Sequence, residues 1–265
     1  ARRTKCRVPP EVTFQSKPQL AATMVQAIVR GGLLPCKYVV ADCLDGNSPA
    51  FRDAVDACVG VTTFVAIPAD TRCWLQCPRT EDKTYIYKGD VRAKRVVVAP
   101  HNAPRSVAAV AASLPASSWY QRTVSEGTKG PITYAFARQR VTLCKDGLPE
   151  RTVWLVIKRT VEADPAYSYS ISNAPVSTPL RTFVWLSGLR WAVEQCFEES
   201  KTELGMAHYE VRKYPGWHHH MLTTMLAHCF LWHLKLRLGK KSPSPYCVAA
   251  AHDLRGRLTP TAIYD

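Results

Sequence analysis

The chain has 265 residues, 46% of them apolar, which excludes a mainly disordered protein. Lys and Arg number 35 against 21 Asp and Glu, a net charge of +14 that favours a polyanionic partner, most commonly nucleic acid. No apolar run approaches the roughly 18 residues of a membrane span, and no apolar stretch follows the basic start Ala1-Arg2-Arg3-Thr4-Lys5, so a cytoplasmic protein is expected.

Residues 1–13 read as a basic entry segment with no strand pattern. Leu20, Met24, Ala27 and Ile28 recur at helical spacing, Pro18 suits a first turn and Gly31-Gly32 a stop, which predicts a helix over 18–30. The short apolar strand 37–41 delivers Asp42 at its C-terminal end. Asp45-Gly46-Asn47 predict a turn, 50–58 a helix and the β-branched run 61–67 a strand. This alternation predicts a parallel, helix-covered sheet, in which functional groups collect beyond the strands' C-terminal ends.

From about 70 the helical period mostly fades, apart from an Ala/Val-rich stretch at 106–114. Strand-like runs occur at 84–88, 95–99, 133–144, 152–161 and 167–172, with Asp146-Gly147 supplying a hairpin turn. Helices are predicted at 181–204 and 218–238, ending before Gly239-Lys240-Lys241 and the Ser-Pro-Ser-Pro step. The resulting division is 1–13 entry, 14–69 α/β part, 70–178 β-rich insertion, 179–238 C-terminal helices and 239–265 tail. The ten cysteines are irregularly spaced with no C-x-x-C pair, and read as free thiols in a chain long enough to need no disulfide framework. Cys73 and Cys77 lack a second Cys/His pair at zinc spacing.

Arg190, Glu194 and Lys201 share one helix face: at about 100° per residue Glu194 lies roughly 40° from Arg190, and Lys201 roughly 20° from it. A carboxylate flanked by two cations suits a site that holds a metal ion and grips phosphate, and it is equally the pattern of a solvated face with i,i+4 ion pairs. The run Arg190-Trp191-x2-Glu194-x2-Phe197-x3-Lys201 continues into His208-Tyr-Glu-Val-Arg212 and Gly216-Trp217-His218-His219-His220. It resembles the C-terminal part of DDE transposases of bacterial insertion sequences, in the branch whose signature is Tyr-x2-Arg-x3-Glu-x6-Lys. Ser187 stands at the Tyr position. Phe14-x2-Lys17-Pro18, Val39-Val40-Ala41-Asp42, Gly46, Pro68-Ala69-Asp70-Thr71-Arg72-x-Trp74 and Glu126-Gly127-Thr128-Lys129-Gly130-Pro131 extend the likeness over most of 11–240. Asp45 stands where the family usually has Tyr.

The resemblance implies an α/β ribonuclease-H-like catalytic fold with a β-rich insertion and C-terminal helices. It implies that Asp42 and Glu194 are catalytic and share two Mg²⁺ (or Mn²⁺) ions, which clamp the oxygens of an in-line phosphoryl transfer. Arg190 and Lys201 would hold phosphates. The partners implied are the element's terminal inverted repeats and target DNA, with a homodimer in the complete protein. Glu11 is the only acidic residue before Asp42, so the first strands and the first catalytic Asp are expected upstream and this chain alone is expected to be inactive. The alternatives are a non-catalytic DNA-binding remnant of a transposase and a ribonuclease-H-like nuclease unrelated to transposition.

Further candidate DNA contacts are Trp119, Arg122, Lys129, Arg212 and His220. Trp119 could stack an unpaired base or equally anchor the β-rich part. Contiguous His218, His219 and His220 point in different directions, which suits capping, packing or phosphate contact better than zinc.

Overall fold

The computed structural model describes residues 2–32, 34–88, 90–99, 103–127 and 130–238. The chain forms two bodies: Ser16–Ser187, and residues 2–15 with 188–238 as the described part of the other. Among the described residues no helix is long and apolar enough to cross a membrane.

The first body opens with α2 (Lys17–Gly31), after the short α1 (Arg2–Lys5) of the other body. Gln19 accepts a 2.9 Å bond from the Ser16 amide at its start, and Gly32, at φ +63°, ends it in the left-handed conformation that glycine takes without strain. There follow β1 (Tyr38–Ala41), α3 (Cys43–Gly46), α4 (Pro49–Asp56) and β2 (Thr62–Ile67). Next come β3 (Arg72–Trp74), β4 (Thr80–Tyr87), β5 (Asp90–Val97), β6 (Arg105–Ser106) and α5 (Val107–Ala112). The last strands are β7 (Tyr120–Gly127), β8 (Gly130–Lys145), β9 (Leu148–Arg159) and β10 (Tyr167–Ser172).

Eight strands form one sheet in the order β1-β2-β10-β9-β8-β3-β6, with β7 also paired to β8, while β4 and β5 make a separate two-stranded ribbon. The sheet is mixed and mostly antiparallel: β1 and β2 pair in parallel, whereas every other ladder is antiparallel. The parallel pair is the one that the helix–strand alternation of the α/β part predicts, and the antiparallel strands of the β-rich part continue the same sheet. Helix crossovers enforce parallel pairing between β1 and β2, but from residue 120 onward the strands are joined by short turns. Asp146 and Gly147 take φ of 51° and 78°, as a two-residue hairpin turn demands. Because β8, β9 and β10 extend the sheet that β1 and β2 begin, the sheet joins what the sequence divides at 69/70.

One face of this sheet carries Val65, Val141, Leu155, Ile157 and Ile171, all 3% exposed or less, against Ala22 of α2, Phe51 and Val55 of α4, and Val107 and Val110 of α5. On that side Arg151 bonds Asp53 and Asp56 of α4 and lies beside Glu150, which also meets Arg52. Across the sheet, the first turns of α6 (Leu180–Thr202) bring Phe183 against Phe64 and Trp154, and Trp185 edge-on to Tyr38.

The second body holds the rest of α6 and α7 (Tyr214–Leu238). The Tyr214 amide bonds the Cys6 carbonyl at 2.8 Å. His228 ties the helices: its Nδ1 meets Cys196 Sγ at 3.7 Å and its Nε2 meets Glu199 Oε2 at 3.4 Å. The nine described cysteines are free.

Candidate functional site

Asp42 stands where β1 ends and α3 begins. It caps α3: its Oδ1 accepts from the Leu44 amide at 2.8 Å and from the Asp45 amide at 3.4 Å. An aspartate is favoured there because its carboxylate satisfies amides that the helix leaves open. The residue is exposed. The expected turn at 45–47 is instead the end of α3, since the Gly46 amide reaches the Asp42 carbonyl at 2.8 Å. Gly46 is buried against β2; a Cβ there would fall 2.0 Å from the Ala66 carbonyl oxygen. Only glycine lets α3 approach this closely, and the approach fixes the position of Asp42.

Asp45, one turn on, is half-buried. Burial first, and then the charge of Asp42, push its carboxyl above the ordinary aspartate range. Its Oδ1 is shielded from solvent and has no hydrogen-bond partner among the described residues. Two carboxylates beside a strand end, one with an orphaned oxygen, form a hard oxygen donor set of the kind that suits Mg²⁺ or Mn²⁺.

Glu194 lies in the other body, on the exposed face of α6. Its Oε1 accepts from Arg190 Nε at 3.1 Å, so the i,i+4 ion pair anticipated from the spacing is present. Glu194 and Lys201 line one groove of about 450 Å³ with Phe197, Glu198 and Thr202. The sequence reading passes over Glu198 and Thr202, although their positions four and eight residues after Glu194 mark them as neighbours on that face. Among the described residues no three His, Cys, Asp or Glu side chains gather as a metal-holding group.

The remaining candidates are dispersed. Trp119 packs against the core, with the Arg159 guanidinium 4.0 Å from its ring centroid and Tyr167 edge-on. Arg122 is exposed on β7 and lies over Tyr120. Arg212 is exposed in the segment before α7. His220 is half-buried, its Nε2 3.0 Å from the Gly205 carbonyl and its ring beside Tyr209. Lys129 lies outside the described residues. Cys73 is buried, which pushes its thiol up to about 11.

Residues 1–131 match the family model described as DDE superfamily endonuclease. That match includes Asp42 and supports the superfamily, whose endonucleases act on DNA and generally use divalent metal ions. No curated protein matches the chain at a significant level.

Proposed function

We propose that this chain is the catalytic region of a DNA transposase of a bacterial insertion sequence. The observation that carries the reading is Asp42 at a strand end within the segment that matches the DDE endonucleases. Glu194, Arg190 and Lys201, in the signature spacing on α6, support it. In this reading Asp42 and Glu194 are two of three carboxylates that hold divalent metal, and the fold around them is ribonuclease-H-like. Metal bound there supplies the positive charge that stabilises the attacking and leaving oxygens of an in-line phosphoryl transfer. Asp42 presents its carboxylate with one oxygen already fixed by α3 amides, which limits the side chain's freedom before any ion arrives.

Arg190 and Lys201 position the phosphate: the guanidinium offers a fork of donors, the ammonium a point charge. Hydrolysis breaks the bond between phosphorus and the 3′ oxygen, adds water to phosphorus and leaves a 3′-OH at the element end. That 3′-OH then attacks a phosphodiester of target DNA, forming a new ester bond to phosphorus as the bond to the target's 3′ oxygen breaks and that oxygen leaves as a 3′-OH. The assembly is a homodimer joining two element ends, working on DNA in the cytoplasm.

The test is Mn²⁺ binding to the chain, followed by electron paramagnetic resonance. Asp42→Ala and Glu194→Ala are each expected to weaken Mn²⁺ binding by more than the ~10–100-fold typical of losing an outer partner of a ligand. If both variants bind Mn²⁺ as the unsubstituted chain does, the assignment of these two residues is wrong.

A further inference from the structure

The helix that Asp42 caps is one turn long, and a single turn does not hold itself, because fixing its dihedrals costs more than its few hydrogen bonds return. α3 is therefore seated from outside. At its start, Asp42 Oδ1 accepts from the Leu44 and Asp45 amides. At its end, three restraints converge on Gly46. The residue is buried against β2, its amide donates to the Asp42 carbonyl at 2.8 Å, and its carbonyl accepts from Arg52 Nη1 at 2.7 Å.

Arg52 stands on α4, which is anchored in the core by buried Phe51 and Val55. Its side chain is only 14% accessible, and its guanidinium has partners on two separate elements. Nη1 serves the Gly46 carbonyl, and Nη2 meets Glu150 Oε2 on β9 at 3.4 Å. The planar fork suits this double task, since its donors keep a fixed angle to one another. A cation on the last carbonyls of a helix also satisfies acceptors that the turn leaves open.

Stability alone is a poor account of this arginine. Its Nε is shielded from solvent and has no hydrogen-bond partner among the described residues, which is destabilising. A buried ion pair gains little over apolar side chains of the same volume. Glu150 also has a second cation beside it, Arg151 Nη2 at 3.5 Å. What Arg52 adds is the donor to the Gly46 carbonyl.

We infer that Arg52 is a positioning residue for Asp42: by holding the end of α3 it presents the carboxylate at the start of α3 to metal in one place. The inference rests on the reading of Asp42 as a metal ligand, and names the residue that orients it. The path is short and made of hydrogen bonds, from the guanidinium to the Gly46 carbonyl and from the Gly46 amide to the Asp42 carbonyl.

The experiment compares Arg52→Met with Glu150→Gln in the full chain. Both break the same ion pair, and only the first removes the donor to Gly46. The readouts are amide hydrogen exchange by NMR and the Mn²⁺ dissociation constant by electron paramagnetic resonance. Arg52→Met is expected to speed exchange of the Leu44 and Gly46 amides while those of β2 and β9 keep their rates. It is expected to weaken Mn²⁺ binding about 10-fold, the low end of the loss on removing an outer partner of a ligand. Glu150→Gln is expected to leave both readouts as they are in the unsubstituted chain. Should Arg52→Met fail to fold, Arg52→Lys takes its place: it keeps the charge, loses the fork, and is expected to shift both readouts in the same direction.

If Mn²⁺ affinity is unchanged in the Arg52 variant while Asp42→Ala weakens it, the positioning role is overturned and the reading of Asp42 survives. If the Arg52 and Glu150 variants change both readouts equally, Arg52 acts only through the ion pair and the inference is wrong. If Asp42→Ala binds Mn²⁺ as the unsubstituted chain does, or the unsubstituted chain binds none, the metal-ligand reading fails and the positioning role falls with it.

Discussion

Gly46→Ala tests how α3 and its cap are seated. In an open helix the change would stabilise by up to about 1 kcal/mol, because alanine is the better helix former. The site is not open. The new Cβ would lie 2.0 Å from the Ala66 carbonyl oxygen, 3.1 Å from its carbonyl carbon and 3.3 Å from Val65 Cβ. Real Cβ atoms essentially never come within 3.0 Å of another heavy atom, so α3 and β2 must part by about a full ångström.

The obstacle is backbone in the middle of a paired strand, which cannot rotate aside. The displacement also pulls on the 2.7 Å bond from Arg52 Nη1 to the Gly46 carbonyl. Overpacking of this kind costs about 1–3 kcal/mol or more, which outweighs the helical gain. For a body of this size, 3 kcal/mol lowers Tm by roughly 6–12 °C. Thermal unfolding by circular dichroism reads this directly, and Gly31→Ala, where nothing lies within 4 Å, is the matched control that should be neutral or slightly stabilising. A Tm for Gly46→Ala equal to or above that of the unsubstituted chain would refute the argument that this contact seats Asp42.

Asp45→Asn should raise stability at neutral pH in the absence of divalent ions. The folded carboxyl titrates above its unfolded value, so stability falls as pH rises between the two values, and the amide should abolish that fall in a Tm-against-pH series. At pH 8 Cys73 should be alkylated far more slowly than exposed Cys43 and Cys77, as peptide mapping by mass spectrometry would read, because its thiol titrates near 11; equal rates would refute its burial. Arg151→Ala should cost about 1–3 kcal/mol in urea unfolding: it leaves Asp53, Asp56 and Glu150 without their shared cation, at a site one-quarter exposed and so partly screened.

Much of the architecture was legible because period and punctuation agree. The helices from 17, 180 and 214 and the strands at 38, 62, 148 and 167 follow apolar spacing bounded by Pro, Gly or charged residues. Pairing partners were not legible. Whether β2 meets a parallel or an antiparallel neighbour depends on residues a hundred positions away, as with Asn173, which bonds the Thr63 amide and Asp56. β3 and β6 have three and two residues, too few for a period, and β7 is interrupted by a bulge between Thr123 and Ser125. Asp42 and Glu194 were marked by motif, and the Arg190–Glu194 bond by spacing. The buried oxygen of Asp45 was not, because it depends on how closely Gly46 lets α3 approach β2.

The Arg190–Glu194 pair has a consequence for the order of events on α6. The bond is solvent-exposed, with side chains 51% and 60% accessible, so breaking it costs less than about 1 kcal/mol. A doubly charged ion that captured the glutamate would discharge the arginine, leaving an unspent guanidinium on the helix face it shares with Lys201 at the moment an anion is required. Uptake of the ion and grip on the anion then become linked equilibria, each raising the affinity for the other. In its absence the same two residues neutralise one another, and that stretch of the helix face stays a weak trap for stray anions.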